Sequence, residues 1–172
     1  VPMQHMATTA EWEALSAERK KYEAKRMAVY AAMIEAMDAN IGRLIGYLAE
    51  NGLAENTIFI FTSDNGAEGS GPPDPNAFPA SRLPASLGYS TDYETLGQKG
   101  SFSSISPSFT SAAVSPLSYY KFYVGEGGLR VPLIISGKPL GQTLRQTPSF
   151  SWATDVAATI LSYAGVDEPG AR

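Results

Sequence analysis

The chain has 172 residues, of which 44% are hydrophobic, so it is long enough for one packed domain or for a part of a larger one. Its net charge of -4 and isoelectric point near 5.0 create no attractive field for polyanions, which argues against a nucleic-acid partner. It has no cysteine, which excludes a disulfide, a thiolate metal site and a cysteine nucleophile in these residues.

No apolar stretch reaches the roughly 18 residues that span a bilayer. The first residues also lack the pattern of a signal peptide. We therefore expect no membrane partner, and the sequence assigns no compartment. Position 1 is a valine rather than a methionine, so we expect the chain to begin inside a longer protein.

The first predicted element is a long amphipathic helix at about residues 18–51. Its apolar residues recur in steps of three and four, which puts them on one helical face. They are Met27, Tyr30, Ile34, Met37, Ile41, Leu44 and Leu48. Gly52 follows this pattern directly and suits the left-handed residue that closes a helix.

The apolar run TIFIF predicts a strand at residues 57–62. Its uninterrupted apolar character is typical of a strand that is covered on both faces, as in a parallel sheet. A helix, a short loop and a buried strand form half of an α/β unit. The predicted fold class is therefore α/β, with mostly parallel strands and flanking helices.

A long irregular loop is predicted at residues 66–120, because this segment is rich in Gly, Pro, Ser and Thr and sustains no regular period. Aromatic residues spaced along it supply apolar surface for packing, which favours an ordered loop over disorder. GEGGLRVPLIISGKP then predicts a glycine turn and a strand at 130–136. TDVAATILSYAGV predicts a helix at 154–164 with Thr154 as its N-cap.

Asp64 and Asn65 follow the first predicted strand directly, in the sequence TSDNGAEGSG. Ligands of open α/β sheets gather at the carboxyl ends of strands, and carboxylate and carboxamide oxygens suit calcium or magnesium. Asp-Asn-Gly is also a common turn sequence, and from these residues alone the turn is the better interpretation. Calcium takes about 6 to 8 oxygens, so further ligands are needed. Candidates by residue type are Glu68, Asp74, Asp92 and Glu126.

Three blocks occur in a fixed order: RMAVYAAMIEAMDANIGRLIGYLAENGLAENTIFIFTSDNGAEG at 26–69, KFYVGEGGLRVPLIISGKP at 121–139 and SWATDVAATILSYAGV at 151–166. Together they resemble the sulfatase family, within the alkaline-phosphatase-like superfamily. The first is similar to the long helix, strand and metal-binding turn of arylsulfatases. The second is similar to the family's lysine five residues before Glu-Gly-Gly-x-Arg-Val-Pro, and the third to the helix that follows. The intervening GQKGSFSSISPSFTSAAVSPLSYYKFY resembles the bacterial arylsulfatase branch.

The resemblance implies a calcium site and a sulfate-binding lysine. Asp64 and Asn65 match an aspartate and an asparagine that help to hold calcium in the family. Lys121 matches a lysine that lies beside the sulfate, where a cation neutralises charge on the transferring group. Without the motif, Lys121 is interpreted as a surface lysine whose stem covers neighbouring aromatic rings. The implied substrate is a small-molecule sulfate ester.

The remaining motif residues are assigned structural roles. Gly127 and Gly128 are expected in a turn, Glu126 as a buried charge partner, and Arg130 at the start of the strand that follows. Glu68 is expected in solvent. His5, the only histidine in the sequence, matches no motif and is expected to have no role.

The resemblance also implies a formylglycine nucleophile, which is made from cysteine or serine in the pattern Cys/Ser-x-Pro-x-Arg. The sequence lacks this pattern, since SRLPA at 81–85 has its proline one position late and no arginine after it. The family's first pair of metal-binding aspartates is absent too. We therefore expect the carboxyl-side part of one catalytic domain, a partial alkaline-phosphatase-like sandwich, with half of a calcium site and no activity alone. Two alternatives remain: a phosphate or phosphonate monoester hydrolase of the same superfamily, and a non-catalytic, sulfatase-like binding module.

Overall fold

The structure, a computed structural model, describes residues 10–69, 86–141, 146 and 149–166. His5, Asp74 and the segment 81–85 lie outside the described residues. The chain divides into two compact units, Val1–Leu140 and Gly141–Arg172. In the described part of the chain, no helix is both long and apolar enough to cross a membrane.

One long helix, α1, occupies Ala17–Glu50 in the first unit. Ser16 caps its start, because the Ser16 Oγ accepts a hydrogen bond from the backbone N–H of Arg19 at 3.2 Å. Beyond its end, Gly52 has a φ of 69°, the left-handed conformation predicted for it. The helix predicted at about 18–51 therefore lies one residue earlier at both ends.

The two halves of α1 have different surroundings. In the first half, the Tyr22 hydroxyl donates to the carbonyl of Thr91 at 2.7 Å, and Lys25 Nζ lies 4.3 Å from the centroid of the Tyr93 ring. In the second half, residues 31–40 are exposed throughout, including part of the predicted apolar face. Contacts with the segment around residue 90 therefore hold the first half of the helix.

A buried ion pair lies within α1, and one of its members is hydrogen-bonded to the segment that contains Ser104. Glu23 and Arg26 are only 3% and 2% exposed, and Arg26 Nη1 lies 3.2 Å from Glu23 Oε2. Arg26 Nη2 also donates to the hydroxyl of Ser104 at 3.0 Å. Burial lowers the pKa of Arg26, and the neighbouring Glu23 carboxylate opposes that shift.

The buried apolar core lies within the segment that was predicted as an irregular loop. Its members are Leu96, Ile105 and Tyr120, with the polar Ser106 and Thr110 buried beside them. A short helix, α2, occurs there at Pro107–Ala113, although no helix was predicted. The Ser106 hydroxyl caps α2 by accepting a hydrogen bond from the backbone N–H of Phe109.

Two strands form the sheet of the first unit, β1 at Phe59–Thr62 and β2 at Leu133–Ser136. They pair antiparallel, with Phe59 opposite Ser136 and Thr62 opposite Leu133. The mostly parallel arrangement that was predicted is not found for these two strands, because apolar composition indicates a strand but not its direction. The predicted strand at 130–136 is also too long at its start, where Pro132 has no N–H for pairing.

The Glu-Gly-Gly sequence forms a single helical turn, α3, at Glu126–Leu129 in the first unit. In the second unit, α4 occupies Ala153–Tyr163. Trp152, rather than the predicted Thr154, stands at the N-cap of α4, and its backbone N–H donates to Asp155 Oδ2 at 2.7 Å. A carboxylate in the first turn also suits the positive end of the helix dipole.

Candidate functional site

Asp64 and Asn65 lie in a bend directly after β1. The Ser63 hydroxyl donates to the backbone carbonyl of Asn65 at 2.8 Å, which tightens the bend. Asp64 is exposed and Asn65 is half-buried. Among the described residues, no hydrogen bond or ion pair engages the carboxylate of Asp64 or the carboxamide of Asn65. Their side-chain oxygens therefore stay available to a cation.

Gly66 locks this bend onto α3. Its backbone N–H donates to the carbonyl of Gly128 at 3.0 Å. A Cβ atom at position 66 would collide with the carbonyl oxygen of Gly127, which is backbone and cannot rotate away. Only glycine allows this approach, so its role after Asp64 and Asn65 is close backbone packing.

Gly127 and Gly128 of α3 also allow close backbone packing, in their case against the segment that contains Lys121. The backbone N–H of Gly127 donates to the carbonyl of Ser118 at 2.8 Å. A Cβ at Gly127 would collide with the carbonyl oxygen of Tyr119, and one at Gly128 with that of Tyr123. The segment that contains Lys121 is therefore packed against α3, which in turn holds the bend after β1.

Lys121 lies beside the same bend. Its backbone N–H donates to the carbonyl of Ala67 at 3.1 Å, and its Nζ lies 3.2 Å from Glu68 Oε2. Its neighbours Tyr119 and Phe122 have φ values of 68° and 79°, a left-handed conformation that bulky residues rarely adopt. Such backbone strain clusters at binding and catalytic sites.

Glu68 was expected in solvent, and that expectation is wrong. Its side chain is half-buried and forms the ion pair with Lys121. The buried Thr110 hydroxyl donates to the Glu68 carbonyl at 3.2 Å, which fixes the backbone at this residue. Sequence analysis missed the pair because Glu68 and Lys121 are far apart in the chain and only the folded backbone joins them.

Glu126 is not the buried charge partner that was predicted. It pairs with Arg130 at 3.5 Å, and both side chains are well exposed. The reason is that α3 turns its glycine backbone inward, which leaves the longer side chains outside. Within the described ranges, no group of three or more His, Asp or Glu side chains is arranged to hold a metal ion. Asp64 and Asn65 therefore offer two adjacent oxygen-bearing side chains, and no such group of the described ranges includes them.

Comparison with known proteins identifies the family. A sequence model described as Sulfatase matches residues 4–166. The chain belongs to the sulfatase family. This membership confirms the resemblance seen in the three sequence blocks, and it assigns the chain to the α/β, alkaline-phosphatase-like fold class.

Several sulfatases are similar to this chain. It is 40% identical over 170 residues to an uncharacterized sulfatase of Schizosaccharomyces pombe, covering 98% of this chain and 30% of that protein. It is 36% identical over 167 residues to an arylsulfatase of Klebsiella aerogenes, covering 96% of this chain and 35% of that protein. It is 28% identical over 149 residues to an N-acetylglucosamine-6-O-sulfatase of Bacteroides thetaiotaomicron, covering 87% of this chain and 19% of that protein. This sulfatase chain therefore spans about a third of the length of the first two relatives.

Proposed function

We propose that this chain forms part of a sulfate ester hydrolase of the arylsulfatase type. In this proposal, Asp64 and Asn65 contribute half of a calcium site and Lys121 contacts the sulfate group. Family membership and the arylsulfatase relative support the reaction class. The two backbone hydrogen bonds from Gly66 to Gly128 and from Lys121 to Ala67 support the residue assignment, because they join the proposed metal bend and the proposed sulfate lysine.

Asp64 and Asn65 fit calcium by donor type. Both side chains end in hard oxygens, and no described residue engages them. A calcium ion takes about 6 to 8 oxygens, so this pair supplies only part of the coordination. When bound, the ion supplies Lewis-acid polarisation of the sulfate oxygens.

Lys121 contributes a fixed positive charge and three hydrogen-bond donors. The oxygens of the transferring group carry negative charge during sulfate ester cleavage, and a pre-positioned ammonium neutralises that charge. The backbone N–H of Lys121 donates to the carbonyl of Ala67 at 3.1 Å, which holds the backbone from which the side chain projects. Such pre-positioning is what makes a charge effective in a transition state.

The nucleophilic step is not assigned to this chain. Its 172 residues contain no cysteine and no serine in the pattern from which formylglycine is made. We therefore propose that these residues alone neither hydrolyse sulfate esters nor bind calcium tightly. Turnover of 4-nitrophenyl sulfate by the purified 172-residue chain, above the rate in buffer, would contradict this part of the proposal.

The sulfate assignment is tested by changing Lys121 to Ala in the full-length gene product that carries this sequence. We expect kcat/KM for 4-nitrophenyl sulfate to fall by about 100-fold to 1,000-fold, the usual effect of removing one stabiliser of transition-state charge. The matched control is Lys138→Ala, which removes an exposed lysine that is paired with Glu55 outside the site. Equal rates for the wild type and Lys121→Ala would refute the role of this lysine. A strong preference of the wild type for 4-nitrophenyl phosphate would favour the phosphate hydrolase instead.

The metal assignment is tested with Asp64→Ala in the same gene product. We expect calcium affinity, measured by isothermal titration calorimetry, to fall at least about tenfold, because one charged ligand is lost from the site. Asp38→Ala is the control, since Asp38 is an exposed carboxylate in the middle of α1. Unchanged calcium affinity in Asp64→Ala would show that the metal lies elsewhere.

A further inference from the structure

Glu68 and Lys121 form a half-buried ion pair, with Lys121 Nζ 3.2 Å from Glu68 Oε2 and both side chains 34% exposed. We propose that Glu68 is a specificity-determining residue that favours singly charged sulfate esters over doubly charged phosphate monoesters. This inference rests on the proposed function, in which Lys121 contacts the transferring group. Glu68 itself acts through its charge beside that lysine.

The fold holds both members of the pair by their backbones. On the Glu68 side, the buried Thr110 hydroxyl donates to the Glu68 carbonyl at 3.2 Å. The next residue, Gly69, packs on the ring of Tyr120 too closely for a Cβ atom. On the other side, the backbone N–H of Lys121 donates to the Ala67 carbonyl at 3.1 Å. The pair is therefore a feature of two anchored segments rather than a chance contact between two mobile side chains.

The charge of the substrate decides how strongly this arrangement opposes binding. Any anion that binds the Lys121 ammonium lies within a few ångströms of the Glu68 carboxylate, because the two groups are in contact. A sulfate ester carries one negative charge, whereas a phosphate monoester carries about 1.5 to 2 near neutral pH. Repulsion from a fixed carboxylate grows with the charge of the anion, and partial burial weakens its screening by water and salt.

The charges of Glu68 and Lys121 also cancel, so this ion pair has no net charge that would attract a dianion. Asp64, three residues before Ala67, has the same sign as Glu68 but is assigned to the metal in the proposed function. Among the carboxylates that the structure describes, Glu68 is therefore the one to which we assign the opposition to a second negative charge on the substrate. A glutamine at this position would keep the shape of the side chain and remove that opposition.

The experiment compares three substrates in the full-length gene product with Glu68→Gln. They are 4-nitrophenyl sulfate, 4-nitrophenyl phosphate and methyl 4-nitrophenyl phosphate, assayed at about pH 8, where the phosphate monoester is a dianion and the other two are monoanions. We expect kcat/KM for the phosphate monoester to rise about tenfold relative to the sulfate ester, equivalent to about 1.4 kcal/mol. The ratio of the phosphate diester to the sulfate ester stays unchanged, because both carry one charge.

The matched control is Glu55→Gln, which neutralises the glutamate of another Glu–Lys pair, formed with the exposed Lys138. It leaves both ratios unchanged. An unchanged ratio of phosphate monoester to sulfate ester in Glu68→Gln overturns the inference, and so does an equal rise for the monoester and the diester.

A second variant covers the case in which Glu68→Gln does not fold, as judged by thermal unfolding. Glu68→Asp keeps the negative charge, so the preference for the sulfate ester is retained, and its loss in Glu68→Asp overturns the inference. Failure of the proposed function is recognised separately, because Lys121→Ala would then leave sulfate turnover intact. Loss of turnover in Lys121→Ala, with unchanged ratios in Glu68→Gln, refutes only the role of Glu68.

Discussion

Gly66 is the single residue on which the geometry of the candidate site depends most directly. A Cβ at this position would collide with the backbone carbonyl of Gly127, so Gly66→Ala must push the bend away from α3. We expect the variant to lose about 1–3 kcal/mol of stability, the usual cost of overpacking. Its calcium affinity falls as well, because Asp64 moves with the bend. Urea denaturation and calorimetric titration of the full-length gene product measure the two effects.

Gly42→Ala is the control for this substitution, since it makes the same chemical change in a different setting. Gly42 lies in α1, and apart from its chain neighbours and the adjoining backbone of the helix, nothing lies within 4 Å of the position that an added methyl group would occupy. Alanine there reduces the backbone entropy lost on folding, and we expect a gain of about 0.5–1 kcal/mol. A loss of stability in Gly66→Ala no larger than the change in Gly42→Ala would show that the bend is not locked as described.

The sequence predicts some residues of the candidate site and not others, and the difference has a physical cause. Asp64, Asn65 and Lys121 are recognisable because each sits in a short motif of fixed spacing. Glu68 was assigned to solvent, although it forms the ion pair with Lys121. That pair depends on Gly66, Gly127 and Gly128, which let the bend after β1 and the segment around Lys121 both pack closely against α3. No local sequence pattern indicates such an approach.

At the scale of elements, Arg26 of α1 forms a buried ion pair with Glu23 and a hydrogen bond to Ser104, which joins α1 to the segment that contains Ser104. Glu23→Ala leaves the Arg26 guanidinium buried without its carboxylate. Burial removes water from the Arg26 guanidinium and lowers its pKa, and the Glu23 carboxylate opposes that shift. We expect the free energy of unfolding to fall by about 3–5 kcal/mol, as for other broken buried pairs. Urea denaturation, monitored by circular dichroism, measures the change.

The control for this ion pair is Glu13→Ala. Glu13 pairs with Lys20 at 2.9 Å, but its side chain is almost fully exposed. Exposed pairs contribute at most about 1 kcal/mol. If Glu13→Ala and Glu23→Ala were equally destabilising, burial would not be the source of the Glu23 effect.

The elements also differ in how far the sequence determines them. The three-and-four spacing of apolar residues and Gly52 predict α1 closely, because both are local properties of a helix. The direction in which β1 and β2 pair is not determined by the local sequence of either strand. A long connection separates the two strands and permits either direction, so the apolar run TIFIF predicts a strand without predicting its antiparallel partner.

At the scale of the whole molecule, a large amount of apolar surface is exposed. In the described residues, all four positions of β2 are exposed, and Phe61 of β1 and Ile34 and Met37 of α1 are exposed as well. A two-stranded sheet also has unpaired N–H and C=O groups along its edges, which are templates for pairing with another chain. Exposed apolar patches of this kind promote association.

We therefore expect the purified 172-residue chain to self-associate as its concentration rises, measured by sedimentation velocity. Ile134→Lys should reduce this association, because Ile134 is 56% exposed in β2 and a lysine on an edge strand opposes pairing with a second strand. The control is Val124→Lys, which adds the same charge at a residue that is 91% exposed outside the strands. An equal reduction by both variants would attribute the effect to net charge alone. A reduction specific to Ile134→Lys identifies the two strands as the surface through which the chain associates.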